Sequence, residues 1–106
     1  MHYPAYSSGM HGSTNWAQWP YAAWGADAVL AGHDHTYERL IVDGIPYFVV
    51  GLGGGAIYSF VYVVPQSVMR YNATFGALWG EASEDKLAFR FITIDGEVID
   101  IFEISK

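Results

Sequence analysis

Ala28-Val29-Leu30-Ala31-Gly32-His33-Asp34-His35 is the stretch on which the reading of this chain turns. Ala28–Ala31 is a short apolar run of the kind that forms a buried strand. Gly32 lets the backbone bend sharply before the first histidine. Two imidazoles two residues apart point to one side if the chain stays extended, so both can reach one metal centre. Neutral imidazole is the commonest metal ligand. Two surface histidines beside a turn make the same pattern, so a bare His-x-His carries little by itself. A third histidine, His2, lies at the far end of the pattern and adds weight.

Composition narrows the classes. The 106 residues leave room for one small domain. Five basic and 11 acidic residues give a net charge of −6. No basic run is present, which argues against nucleic acid or an anionic membrane as partner. Without cysteine there is no disulfide framework and no thiolate chemistry. No apolar run is long enough for a membrane-spanning helix. Met1-His2-Tyr3-Pro4 has neither a charged n-region nor an apolar h-region, so no signal peptide is expected. Aromatic residues make up 17% while Lys and Arg number only five. That balance suits the inside of a larger domain better than a self-sufficient small one.

Outward from the histidine pair, Trp16–Gly25 reads as a helix. Trp16, Trp19, Ala23 and Trp24 fall on one face of a 3.6-residue period, which predicts core packing for the tryptophans. Pro20 either kinks this helix or opens a shorter one at about Pro20–Trp24. Asp27–Ala31 is the strand that follows, so helix, turn and strand form half of an α/β unit. Tyr37–Val42 and Ile45–Val50 read as strands joined by the hairpin turn Asp43-Gly44. Gly51-Leu52-Gly53-Gly54-Gly55-Ala56 nominally fits a dinucleotide fingerprint. No amphipathic helix follows, and no acidic residue stands about 20 positions on, so a tight loop close to other backbone is the better reading. Ile57–Asn72 is aromatic and irregular and receives no assignment. Phe75–Ala82, Leu87–Ile94 and Glu97–Ile104 form an antiparallel meander, with Asp95-Gly96 as a second hairpin turn. Leu87–Ile94 is expected to be buried on both faces for much of its length.

Three pieces then occur in order: His2-Tyr3-Pro4-x-Tyr6-Ser7, His11-Gly12-Ser13, and Gly32-His33-Asp34-His35 followed by Tyr37-Glu38-Arg39. Together they resemble the last two metal motifs of the calcineurin-like metallophosphoesterases, and within them the purple acid phosphatase branch. The tail, with Arg70-Tyr71-Asn72, Gly76-Ala77 and Asp95 to Asp100, is similar as well. The resemblance implies an α/β fold, the C-terminal half of a four-layer α/β/β/α sandwich, with one main helix followed by mostly antiparallel strands. It implies a phosphoester hydrolase of the dinuclear-metal acid phosphatase type. His2 and His33 would hold one metal and His35 the other, with iron paired with zinc, manganese or iron. Two metals about 3.5–4 Å apart clamp the phosphoryl oxygens and generate the hydroxide that attacks phosphorus. His11 would be the catalytic histidine, touching the phosphate or assisting the leaving group. The resembled branch is mostly secreted or periplasmic.

The family's earlier motifs, Asp-x-His, Gly-Asp-x-x-Asp and Gly-Asn-His-Asp/Glu, do not occur. Residues 1–106 are therefore expected to be the C-terminal portion of such a domain, lacking the carboxylates that bridge the metals. The expectation for the isolated chain is partial or no metal, no hydrolysis, and self-association through an unpaired sheet edge. Asp34 is expected to orient an imidazole by accepting its second N–H. Tyr37, Glu38 and Arg39 are expected to pack and to form a local ion pair. The expected partner is a phosphate ester, with neither nucleic acid nor membrane. Two rival readings stand beside this one. The first is a non-catalytic metal-binding or interaction fragment. The second is a cupin-type mononuclear metal protein, which lacks support at Arg39 and Leu40, where its Glu belongs, and has no histidine after His35.

Overall fold

The structure, a computed structural model, describes all of residues 1–106. Seven strands form two sheets, and no α-helix is present. The first sheet runs in the order β1 (Val29–Ala31), β3 (Ile45–Val50), β2 (Tyr37–Val42), β4 (Ser67–Tyr71). Within it β1 and β3 are parallel and the other pairs antiparallel. The second sheet is the meander β5 (Gly76–Ala82), β6 (Lys86–Thr93), β7 (Val98–Ser105). The α/β expectation, with one main helix, is thus corrected to a nearly all-β architecture. No helix is long and apolar enough to cross a membrane.

The expected helix at Trp16–Gly25 is replaced by a 3₁₀ turn at Asn15–Ala17 and a separate single turn after Pro20. Trp24 N–H donates to the Pro20 carbonyl, and Gly25, at φ 93°, closes the turn. Pro20 has no N–H to continue a ladder from the 3₁₀ turn, and one turn alone has no cooperative gain to extend it. The tryptophan stripe faces solvent instead of the core: Trp16, Trp19 and Trp24 are 68%, 55% and 64% exposed. The 3.6-residue spacing has no helix to act on, so it does not define a buried face.

Residues 5–21 nevertheless form a layer. Ala5 and Ala17 pack with Val29, Leu40, Val42, Tyr47 and Val49 on one face of the first sheet. The alternating residues of the same strands, Tyr37 and Phe48, meet Leu52, Phe89 and Phe91 between the two sheets. Burying each large side chain of this kind is worth roughly 1.5–3 kcal/mol. The molecule is therefore a loop layer on a β-sandwich. Along β6 only Phe89, Phe91 and Thr93 are fully buried, on one face; the opposite face is half-buried, against the expectation of two buried faces.

A polar tie also joins the sheets. Arg39 donates to both carboxylate oxygens of Asp100 on β7, at 2.8 and 3.2 Å, and Tyr37 O–H donates to the same carboxylate at 2.6 Å. The Arg39 guanidinium lies 4.7 Å from the Phe102 ring centroid. Arg39 thus makes its ion pair across the sandwich and not with the adjacent Glu38. The Asp43-Gly44 hairpin forms as its sequence predicts, with φ of 51° and 82° at the two turn residues. The unassigned stretch contributes β4, whose pairing with β2 is bulged between Arg39 and Leu40. Burial alternates along β4, but apolar Val68 is on the exposed face and polar Ser67 on the half-buried one, so the alternation does not show in the sequence.

Candidate functional site

The site collects where β1 ends and β2 begins. His2 is brought there by its own backbone. The N-terminal amino group donates to the Leu30 carbonyl at 2.8 Å and Gly32 N–H donates to the His2 carbonyl at 3.0 Å, so the first two residues lie along β1. His33 follows Gly32 in a left-handed conformation, φ 68°. That region is costly for a residue with a Cβ and marks positions the surrounding structure over-determines.

This conformation corrects the idea that the two histidines share a direction. The chain does not stay extended after Gly32: Asp34 N–H bonds the Gly32 carbonyl and Thr36 N–H the Asp34 carbonyl, each at 2.9 Å. His33 turns to His2, with His2 Nε2 and His33 Nδ1 3.0 Å apart. His35 turns to the glycine loop, where its Nδ1 lies 2.6 Å from the Ala56 carbonyl oxygen. With Nδ1–H donating there, Nε2 is left as the free ring nitrogen.

His11 stacks on His33 with ring centroids 4.1 Å apart. Tyr58 stacks on His35 at 4.2 Å and meets His11 edge-on at 5.5 Å. The four histidines therefore form one continuous row of ring contacts, His2, His33, His11, Tyr58, His35. Tyr58 sits in the stretch whose sequence gave no periodic signal, so sequence reasoning missed it. Tyr3, edge-on to His33 at 4.7 Å, was missed as well. Its place directly after His2 was the available signal.

Two buried carboxylates hold the loop that carries His11. Asp34 accepts hydrogen bonds from the Ser7 hydroxyl and, at 2.9 Å, from the His11 backbone N–H. Glu38 accepts from Ser8 N–H at 2.8 Å and from the Ser8 hydroxyl at 2.6 Å. Both carboxylates are fully buried. Asp34 thus orients the backbone of His11 and does not accept an imidazole N–H. Glycine is required where these pieces meet. A Cβ on Gly9 would lie 2.6 Å from the Asp34 carboxylate, one on Gly51 1.9 Å from the Asp34 carbonyl oxygen, and one on Gly55 2.6 Å from the His35 ring. The glycine loop does pass tightly against the histidine segment, as its sequence suggested.

Electrostatics favour neutral His33. Partial burial, then the neighbouring His11 and His2, hold its imidazole below the ordinary histidine value, while Asp34 acts in the opposite direction. The neutral form is the one that binds a metal. The donor set fits part of a metal centre. A separation of 3.0 Å between two ring nitrogens is close to the bite of two ligands on one ion, given metal–nitrogen bonds of ~2.0–2.1 Å. No three His, Asp or Glu side chains converge on one ion, however, and the nearest carboxylate, Asp34, is spent on Ser7 and His11.

No family model matches the chain, and no curated protein matches it. Among solved structures, the fold is similar to that of GAP50, the anchor in the inner membrane complex of Plasmodium. The TM-score is 0.81 at 19% sequence identity. The likeness covers 98% of this chain and 34% of that chain, so residues 1–106 span about a third of its length. At this identity the likeness concerns the fold alone: residues 1–106 fold like part of that chain.

Proposed function

We propose that residues 1–106 form the histidine-bearing part of a dinuclear-metal phosphoester hydrolase of the purple acid phosphatase kind. The observation that carries this is the contact of His2, His33 and His11 at one strand end, with the 3.0 Å pair of ring nitrogens at its centre. In this reading His2 Nε2 and His33 Nδ1 hold one ion, and His35 offers Nε2 to a second. Carboxylates to bridge and complete the pair come from polypeptide other than these residues. When bound, the ions supply charge stabilisation of the phosphoryl group and a nucleophile at neutral pH.

The chain's own residues supply position and a proton. Asp34 fixes the His11 backbone, and stacking on His33 fixes its ring. The imidazole then stands where it can hand a proton to the departing alkoxide oxygen. Tyr58 keeps His11 and His35 in register across the site. An exposed apolar surface beside β1 supports the divided site. Met1, Leu30, Ala31, Val50, Ala77 and Leu78 line an apolar cleft there of about 500 Å³, and Leu30 is 45% exposed. Self-association of the isolated chain is expected through this apolar surface and the outer edge of β5, which pairs only with β6.

The test is metal stoichiometry by titration with zinc or cobalt, with His33→Ala as control. The expected result is at most one ion per chain, bound weakly and lost in the variant, with no hydrolysis of an aryl phosphate. Two tightly held ions together with hydrolysis by the chain alone would overturn the divided site. Unperturbed histidine ring resonances on adding metal would overturn the metal reading altogether.

A further inference from the structure

Beside the histidine row lies an aromatic and polar cleft of about 530 Å³. Tyr3, His11, Thr14, Asn15, Trp16 and His33 line it. Its volume falls within the range of about 300–1,000 Å³ usual for small-molecule sites. Tyr3 connects its two ends: the ring meets His33 at 4.7 Å on one side and Trp16 at 5.6 Å on the other, both edge-on.

Trp16 is 68% exposed, yet the segment under it is fixed. Ala17 beside it is buried in the core, Thr14 N–H bonds the Pro4 and Ala5 carbonyls, and Tyr21 O–H donates to the Ala17 carbonyl at 2.7 Å. The backbone that carries this ring is ordered before any ligand arrives, so part of the ordering cost of stacking is already met. Trp19 and Trp24 contact each other, with ring centroids 5.8 Å apart, and neither lines this cleft. The cleft therefore offers an indole face, a phenol, and the polar side chains of Thr14 and Asn15, opening directly onto the histidines.

We propose that this cleft binds the leaving group of the phosphoester, and that the leaving group carries a flat aromatic ring with a polar edge, as in a nucleoside monophosphate. The ring stacks on Trp16, Thr14 and Asn15 meet its hydrogen-bonding edge, and the phosphate reaches His11 and His33. This rests on the phosphoester reading given above. It adds to it a substrate class and a residue, Trp16, that no metal motif contains.

The test uses the whole chain and two sets of resonances. Adenosine monophosphate, ribose 5-phosphate, adenosine and inorganic phosphate are titrated while the tryptophan indole N–H and the histidine ring signals are followed. Trp16→Leu identifies the Trp16 signal, and Trp24→Leu serves as an exposed-tryptophan control. Stacking of a base on an aromatic side chain is sizeable, so adenosine monophosphate is expected to bind at least about tenfold more tightly than ribose 5-phosphate. The Trp16 signal should move with both adenosine compounds. Trp16→Leu should abolish the difference, and Trp24→Leu should leave it intact.

Equal affinity for the two phosphates, a Trp16 signal unmoved by millimolar adenosine monophosphate, or the same loss in Trp24→Leu overturns the proposal. The histidine signals judge the phosphoester reading separately. If adenosine moves Trp16 but no phosphate moves His11 or His33, the platform stands and the phosphoester site falls. If phosphate moves the histidines and no adenosine compound moves Trp16, the reverse holds.

Discussion

Gly9 and Asp34 offer the sharpest examination of how the His11 loop is held. A Cβ on Gly9 would lie 2.6 Å from Asp34 Cγ and Oδ2 and 2.9 Å from its Cβ. Gly9 does not have a positive φ, and the three atoms nearest an added methyl all belong to the Asp34 side chain. Overpacking of this kind costs about 1–3 kcal/mol. Asp34→Ala removes two hydrogen bonds to a charged, fully buried acceptor. At ~1.5–3 kcal/mol each, the loss is about 3–6 kcal/mol. The two changes should not add. With the carboxylate gone, both 2.6 Å contacts disappear, and of the three nearest atoms the Asp34 Cβ at 2.9 Å remains, so the clash is relieved in part. The double variant should be more stable than the sum of the single losses by about 1–2 kcal/mol. Asp34→Asn keeps the shape, so Gly9→Ala should cost as much there as in the parent. Urea unfolding followed by circular dichroism, with unchanged m-values, measures all of these. Additivity within about 0.5 kcal/mol in the Asp34→Ala background would refute the packing argument.

Two further outcomes follow from the tie between the sheets. Arg39 and Asp100 side chains are only 13% and 8% exposed, so Asp100→Ala strands a guanidinium and the Tyr37 hydroxyl and should cost about 3–5 kcal/mol in urea unfolding. A loss under about 1 kcal/mol would place the pair with ordinary surface ion pairs. Burial, and then Asp100, push the Tyr37 phenol well above its ordinary value, and burial pushes Tyr47 the same way. A raised folded-state value means the unfolded chain gives up its proton first. This stability is complete below about pH 10 and falls as pH rises beyond it. Urea midpoints measured through that range should decline, and Tyr37→Phe should flatten the decline.

Much of the chain was legible where local chemistry acts alone. Tyr37–Val42 and Ile45–Val50 coincide with β2 and β3, because Asp43-Gly44 supplies the left-handed pair that a tight hairpin needs. The C-terminal meander was legible from its turn residues, of which Gly96 alone takes a left-handed conformation, φ 84°. The candidate histidines were also legible as a set, since His2, His11 and His33 do meet. Their directions were not. Extended geometry predicted that His33 and His35 point together, whereas the left-handed backbone at His33 sends them to different partners.

A residue and its near neighbours were enough for the β2–β3 hairpin and for the C-terminal meander with their turns. Only the tertiary structure decided that Trp16–Gly25 is no helix, that its tryptophans face water, and that Asp34 holds the His11 backbone. It also decided that Arg39 reaches Asp100 across 61 residues of chain. The helix is broken locally at Pro20, whereas Asp34 and Arg39 each set a local preference against a long-range contact. The long-range contact wins where burial makes an unpaired group more costly than a lost propensity.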